Sequence, residues 1–484
     1  MQSSALLTDL YQLTMAYGFW KNNLHNRRAV FHLFFRENPF KGGYTIACGL
    51  NQVVEFLDNL SFTNEELGYL STLKDQSGQP MFDEGFLKYL SQLSFTCDVH
   101  AVPEGTIVFP HEPLLRITGP IIQCQLVESA LLTFINFQSL IATKAARIVL
   151  ATEGDPIMEF GLRRAQGIDG ALSAARAAYI GGVAGTSNIL AAKQYNIPAL
   201  GTHAHSWVQA FDEEQTAFDT FADTMPGNTV LLVDTYHTPT GIDHAIKTAK
   251  RMLANGYQIN GIRLDSGDLA YLSQLARRKL NEAGLPFMKI VASNDLDEHL
   301  ISSLKQQKAP IDIWGVGTKL VTAYDQPALG GVYKMSAIET KPNQWEDRIK
   351  LSEQSIKVNI PGIQQVKRFF KDNDFCCDMI YDERDTLPSQ TVIIDPADPV
   401  RTKTIDLKTT HSTNLLVPII KNGTFIGTHE SVQELQDRTK KGLSLLDKTH
   451  RRLVNPHIYP VGLEQQLYNR RMELILFYKK KYLS

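Results

Sequence analysis

Between about Pro156 and Tyr333 the chain repeats one pattern: a short apolar run, one or two small or polar residues, then a segment with apolar positions at helical spacing. The runs are Ile157 to Phe160, Ile197 to Leu200, Val230 to Val233, Ile259 to Leu264, Lys289 to Ala292 and Ile311 to Trp314. Each predicts a strand. Each is followed at once by Gly161, Gly201-Thr202, Asp234-Thr235, Asp265-Ser266, Ser293-Asn294 or Gly315. The intervening segments predict helices, among them Ile242 to Leu253, Leu269 to Ala276 and Leu296 to Leu304. Ser266 and Asp268 precede the second of these as capping types, and Gly284 and Pro286 stop it.

Alternation at a spacing of roughly 20 to 40 residues predicts parallel strands with crossover helices, in a barrel or a doubly wound sheet. Both architectures bind ligands beyond the carboxyl ends of their strands. The polar residues named above sit at those ends, so chemistry is expected there.

The flanks follow a different pattern. Val30 to Phe35 and Gly105 to Phe109 predict strands, and Asn51 to Leu60 and Asn64 to Leu73 predict helices. Beyond Lys341 short strands such as Thr391 to Ile394 alternate with loops. The expected organisation is an N-terminal α+β domain over residues 1–125, an α/β domain over 126–340, and a segment 341–484 that partly returns to the first domain. The 484 residues exceed what one core serves, which agrees with two or three domains.

Composition excludes some functions. The chain is 43% apolar and 21% charged, with a formal net charge of -2, so no strongly basic face points to nucleic acid. Lys479-Lys480-Lys481 is read as a solvated end. Five scattered cysteines without a Cys-x-x-Cys pair suit reduced thiols. The start lacks a secretory pattern, and no apolar run is long enough to span a bilayer, so a cytoplasmic protein without membrane partners is expected.

Several strand exits could carry chemistry. Arg263-Leu264-Asp265-Ser266-Gly267-Asp268 puts a cation, carboxylates and a hydroxyl at one exit. Ser266 or Asp268 could serve as a helix cap, which leaves Arg263 and Asp265 without a capping reason. Gly315-Val316-Gly317-Thr318-Lys319 could cradle a phosphate with backbone N–H groups or simply make a tight turn. Arg163-Arg164 could meet an anion or face solvent. His203 and His205 admit three readings: a metal pair, a phosphoryl-accepting nucleophile, or hydrogen-bonded structural histidines.

Taken together, the longer motifs resemble the nicotinate phosphoribosyltransferase family. They are the run from Glu159 to Asn188 (EFGLRRAQGIDGALSAARAAYIGGVAGTSN), Gly201 to Trp207 (GTHAHSW), and Arg263 to Asp268. Thr8 to Gln12, Phe34 to Arg36, Pro39-Phe40 and Leu329 to Lys334 also resemble family segments. The resemblance spans nearly the whole chain to about residue 340 and weakens beyond. It implies a type II phosphoribosyltransferase fold, an irregular α/β barrel with an α/β sandwich domain, in a homodimer. It also implies ATP-assisted joining of nicotinate to phosphoribosyl pyrophosphate, the first step of NAD synthesis from nicotinate, with magnesium accompanying the phosphates.

The resemblance carries over residue by residue. His205 matches the histidine that ATP phosphorylates; His203 falls where relatives often have another residue. Phe160 matches the aromatic under the pyridine ring and Tyr11 the tyrosine over its other face, contributed by the partner subunit. Arg163 matches an arginine of the substrate and phosphate site. Thr202 and Ser206 flank the histidine. Arg263 matches the arginine facing the pyridine substituent, and Asp265 an aspartate near the ribose and donor. Ser266, Gly315, Gly317 and Thr318 complete the expected donor site, the last two as a phosphate-cradling turn. Relatives that use nicotinamide carry an aspartate after a Gly-Thr pair. Here Gly185-Thr186 is followed by Ser187, which does not repel a carboxylate. Two rivals stand beside this reading: a metal-dependent barrel hydrolase built on His203 and His205, and a non-catalytic binding protein on the same fold.

Overall fold

The computed structural model, which describes residues 4–351 and 358–482, gathers the central repeat into one six-stranded sheet. Its order is Gly185–Thr186, Ile157–Glu159, Ile313–Val316, Lys289–Ala292, Gly261–Leu264, Val230–Leu232, and every pairing is parallel. Four strands consecutive in the chain are neighbours in space, and the last of them returns to pair with Ile157–Glu159, as in a barrel. Ile262, Leu264, Ile290, Val291 and Ala292 are all fully buried. Such unalternated burial is the mark of a parallel sheet with both faces covered. Helices Thr238–Ala254, Leu269–Glu282 and Glu298–Gln306 fill the expected crossovers. Asp268 Oδ1 caps the second by accepting from the Tyr271 N–H at 3.0 Å; Ser266 does not cap it.

Two strand expectations need correction. Ile197 to Leu200 makes only an isolated bridge, Ala199 opposite Thr186. Pro198 has no N–H to donate, so only its carbonyl and the Leu200 N–H reach the neighbouring backbone. The edge position is taken by the two-residue strand Gly185–Thr186, too short to show in the hydropathy. The last strand of the repeat runs over Ile313–Val316, so Gly315 lies inside it rather than after it.

The chain groups into two units: Ile141–Pro327 with Ser431–Asp437, which holds this sheet, and Met1–Leu140 with Ala328–Glu430 and Arg438–Ser484. The second unit is built on two larger sheets. One is seven-stranded and antiparallel, with Val332–Lys341 and Leu115–Pro120 on either side of Arg28–Phe34. The other is six-stranded and mixed, centred on Val461–Glu464 and Asp374–Asp382. The expected helices here are Leu50–Asp58 and Asn64–Thr72. The strand expected over Gly105 to Phe109 shortens to Ile107–Val108, paired with Thr45–Ile46.

A buried charge cluster sits in this second unit. Arg368 Nε and Nη2 donate to the Asp378 carboxylate at 3.0 and 2.5 Å, and Tyr459 Oη donates to the same group at 3.1 Å. None of the five cysteines is in a disulfide. Among the described residues no helix is long and apolar enough to cross a membrane.

Candidate active site

The carboxyl ends of the parallel strands open onto a cavity of about 230 Å³ lined by Phe160, Leu162, Arg163, Ser187, Gly201, Thr202, His203, Ala204 and Arg263. Phe160 forms part of its wall because the residue beneath is a glycine. A Cβ on Gly315 would stand 2.6 Å from Phe160 Cε2, so only a bare backbone lets the ring lie there. This assigns buried Gly315 a place under the aromatic ring. Gly317 and Thr318 follow at the strand exit, where Gly317 begins the short helix Thr318–Val321, and Lys319 is tied to Asp297 at 2.6 Å.

Arg263 is the hub. Its Nη1 donates to Thr202 Oγ1 at 2.9 Å, its Nε to Ser293 Oγ at 2.8 Å and its Nη2 to Asp265 Oδ1 at 2.8 Å. Its guanidinium carbon is 5.4 Å from the Phe160 ring centroid. Ser293 also donates to Asp265 Oδ1. Burial alone would raise the Asp265 carboxyl, but the Arg263 charge and the hydrogen bonds from Ser293 and Arg263 outweigh it and hold the group below the usual carboxylate range. Asp265 is therefore ionised at neutral pH.

Asp234 supports this turn from the neighbouring strand exit. Its Oδ2 accepts from the Asp265 N–H at 2.8 Å and from Ser266 Oγ at 2.6 Å. Ser266 is thus held by Asp234. Asp234 Oδ1 is buried and has no hydrogen-bond partner. An orphaned carboxylate oxygen beside a second carboxylate suits a divalent cation that keeps its waters and takes its other ligands from substrate phosphates, as magnesium does. Among the described residues no cluster of three or more His, Cys, Asp and Glu side chains is arranged to hold a metal by itself.

The two histidines have different surroundings. His203 is buried, its Nε2 accepts from the Leu232 N–H at 3.1 Å, and its Nδ1 faces the Ala204 carbonyl at 3.3 Å. Burial pushes its pKa down, so the ring is neutral with both nitrogens engaged. It braces the loop against Val230–Leu232 and has no lone pair to offer a metal. His205 opens the helix His205–Gln209, and its side chain is 40% exposed. Its Nδ1 lies 3.1 Å from Thr235 Oγ1 and its Nε2 3.7 Å from Asp265 Oδ2.

Of the residues singled out in the sequence, Phe160, Arg163, Ser187, Thr202 and Arg263 meet at the cavity, and His205 and Asp265 adjoin it through contacts with each other and with Arg263. Arg163 is exposed in the turn Leu162–Arg164. Ser206 is exposed on the helix after His205. Tyr11 belongs to the other unit, 49% exposed on the helix Leu10–Lys21. Sequence reasoning placed Asp234, Thr235 and Ser293 at strand exits without giving them a role, and passed over Glu159. Asp234, Ser293 and Glu159 meet partners at neighbouring strands and Thr235 meets His205, an order in space that the hydropathy pattern does not give.

The fold that carries this pocket at the ends of its parallel strands is that of the type II phosphoribosyltransferases. The crystal structure of human nicotinic acid phosphoribosyltransferase shares it with a TM-score of 0.84 and 29% sequence identity, covering 96% of this chain and 99% of that one. Models of the nicotinate phosphoribosyltransferase N-terminal domain, the nicotinate phosphoribosyltransferase family and the C-terminal domain match residues 6–136, 156–368 and 363–471. The nicotinate phosphoribosyltransferase of Bacillus subtilis (strain 168) is 43% identical over 480 residues, 98% of this chain and 95% of that protein. The human one is 32% identical over 518 residues, 96% of this chain and 95% of that protein. The chain belongs to the nicotinate phosphoribosyltransferase family, and its C-terminal part, in which the sequence motifs fade, belongs to it as well.

Proposed function

We propose that this enzyme transfers the phosphoribosyl group of phosphoribosyl pyrophosphate to nicotinate, coupled to ATP hydrolysis, and so makes nicotinate mononucleotide for NAD synthesis. The observation that carries this reading is the convergence, at the carboxyl ends of one sheet's strands, of an aromatic face, a forked cation, an ionised carboxylate and an accessible imidazole. Nicotinate stacks on Phe160 with its carboxylate toward Arg263 and Ser187. Serine at this position adds no charge, so the anionic acid is accepted where an aspartate would repel it. Tyr11 is assigned to the far face of the ring, from the partner subunit of a homodimer; its exposure on its own unit leaves it free for that role.

The donor's ribose is assigned to Asp265, and its phosphates to the Gly317-Thr318 turn, Ser266 and Arg163. Magnesium would be held by Asp234 and Asp265 together with phosphate oxygens; when bound it supplies neutralising charge for the departing pyrophosphate. The pyridine nitrogen forms its bond to C1 as the bond from C1 to pyrophosphate breaks. Asp265, ionised, steadies positive charge that develops on the ribose in that step.

ATP couples through His205. With Nδ1–H donating to Thr235, the Nε2 lone pair attacks the γ-phosphorus and ADP leaves. Phospho-His205 beside Asp265 reorganises the donor site, and water later hydrolyses it to phosphate. Thr202 and Ser206 flank this imidazole. A metal hydrolase using His203 and His205 is disfavoured by the engagement of both His203 nitrogens. Incubating the protein with nicotinate, phosphoribosyl pyrophosphate, ATP and magnesium should yield nicotinate mononucleotide, pyrophosphate, ADP and phosphate by mass spectrometry. Absence of the mononucleotide would overturn the proposal.

A further inference from the structure

Glu159 is the last residue of the strand before Phe160, and it is 1% exposed. No cation pairs with it among the described residues. Its carboxylate accepts instead from two turns. One oxygen takes the Gly161 N–H and the other the Thr186 hydroxyl, the latter at 2.5 Å. Thr186 Oγ1 in turn accepts from the Asn188 N–H at 3.0 Å, and the Ser187 N–H donates to the Glu159 carbonyl at 2.9 Å. Asn188 Oδ1 then caps the helix Ile189–Tyr195.

These contacts lie on either side of the residues assigned to the acceptor. Phe160 sits between Glu159 and Gly161, and Ser187 between Thr186 and Asn188. A Cβ on Gly161 would lie 2.7 Å from Glu159 Oε1 and 2.1 Å from Val321 Cγ1, so the clasped turn has no room to shift. An unpaired buried carboxylate is costly to keep, and its charge strengthens the hydrogen bonds it accepts. A side chain serving only the core would be apolar here.

We propose that Glu159 is a positioning residue for the acceptor: its carboxylate clasps the Phe160-Gly161 and Thr186-Ser187-Asn188 turns. It thereby sets the distance between the ring that stacks on the heterocycle and the residue that reads its substituent. The inference rests on the proposed function. It requires reach across two turns, which separates it from a simple need for charge or bulk.

Three variants test it through steady-state KM values. Glu159→Asp keeps the charge but loses one methylene of reach. It should raise the nicotinate KM about tenfold, the scale of one charge-assisted hydrogen bond, and leave the KM values for phosphoribosyl pyrophosphate and ATP within about twofold. Glu159→Gln keeps the reach and can accept from the Gly161 N–H, but its amide NH2 faces the Thr186 hydroxyl, which loses its acceptor, so it should raise the nicotinate KM about as much as Glu159→Asp does. Thr186→Val should reproduce the Glu159→Asp effect, and the two together should be no worse than either alone, because both break one clasp. An unchanged nicotinate KM in Glu159→Asp, Glu159→Gln and Thr186→Val, or an equal rise for all three substrates, would overturn the clasp. A wild-type protein that makes no mononucleotide would instead overturn the functional reading on which the clasp depends.

Discussion

Replacing Arg263 by lysine keeps the positive charge and removes the fork. The guanidinium holds three acceptors on different sides of one plane: Thr202 at 2.9 Å, Ser293 at 2.8 Å and Asp265 at 2.8 Å. An ammonium is a point charge on a flexible stem; it can follow Asp265 but cannot also reach the two hydroxyls. Two hydrogen bonds from a charged donor at about 1.5 kcal/mol each, the lower end for such bonds, amount to a loss of about 3 kcal/mol. If that loss falls on binding and positioning of the acceptor, kcat/KM for nicotinate drops at least about 150-fold. The side chain is 12% exposed, so solvent screening removes little of this. The assay is initial-rate production of mononucleotide against nicotinate at saturating phosphoribosyl pyrophosphate and ATP, with a thermal melt to exclude global unfolding. A folded Arg263→Lys protein whose kcat/KM stays within about threefold of wild type would show that the fork geometry carries no catalytic weight, and the reasoning would fail.

His205→Ala should abolish the ATP stimulation and the ADP released per mononucleotide while slow uncoupled transfer persists; retention of full stoichiometric coupling in a coupled ADP assay would refute the histidine's role. Ser187→Asp puts a carboxylate in the cavity and should raise the nicotinate KM at least about tenfold through like-charge repulsion in a poorly screened pocket, an effect that unchanged nicotinate kinetics would disprove. Glu112 is wholly buried, and burial first, then the charge of Asp378, pushes its carboxyl well above the ordinary range. Its folded pKa being raised, the stability its proton contributes is complete below the unfolded value of about 4.3 and is lost as pH rises toward the folded one. Glu112→Gln donates to Asp378 without binding a proton, so its melting temperature should match wild type near pH 4 and exceed it increasingly toward pH 9. Melting curves that stay parallel across that range would rule this out.

The parallel sheet was legible because its strands are short, largely apolar runs, each followed by a small or polar residue and then by a segment of helical spacing. Where a run contained proline, as at Pro198, apolarity misled, since a residue without an N–H cannot extend a ladder. The short edge strand Gly185–Thr186 left no trace because two small residues bury too little to make a pattern. His203 and His205 looked alike in the chain. Their difference is tertiary: the Leu232 N–H occupies one ring and leaves the other accessible. The resemblance favoured His205, and of the two rings it is His205 that stays accessible while His203 is buried.

Spatial order of the strands explains what remained hidden. Gly261–Leu264 lies between Val230–Leu232 and Lys289–Ala292 in the sheet. That adjacency alone brings Asp234 onto the Asp265 backbone from one side and Ser293 onto Arg263 from the other. Residues one to three positions past a strand end are therefore read in pairs across neighbours, and an exit residue has no role until its neighbour is known. Glu159 follows the same logic one step earlier, at the last strand position, where its side chain reaches sideways to Thr186 on the adjacent strand. Several of the polar contacts that organise the pocket thus run between neighbouring strands, as Asp234 to Asp265, Arg263 to Ser293 and Glu159 to Thr186 do. A substitution that preserves a residue's charge but shortens its reach or removes its fork should for that reason damage this site, as Glu159→Asp and Arg263→Lys are expected to do.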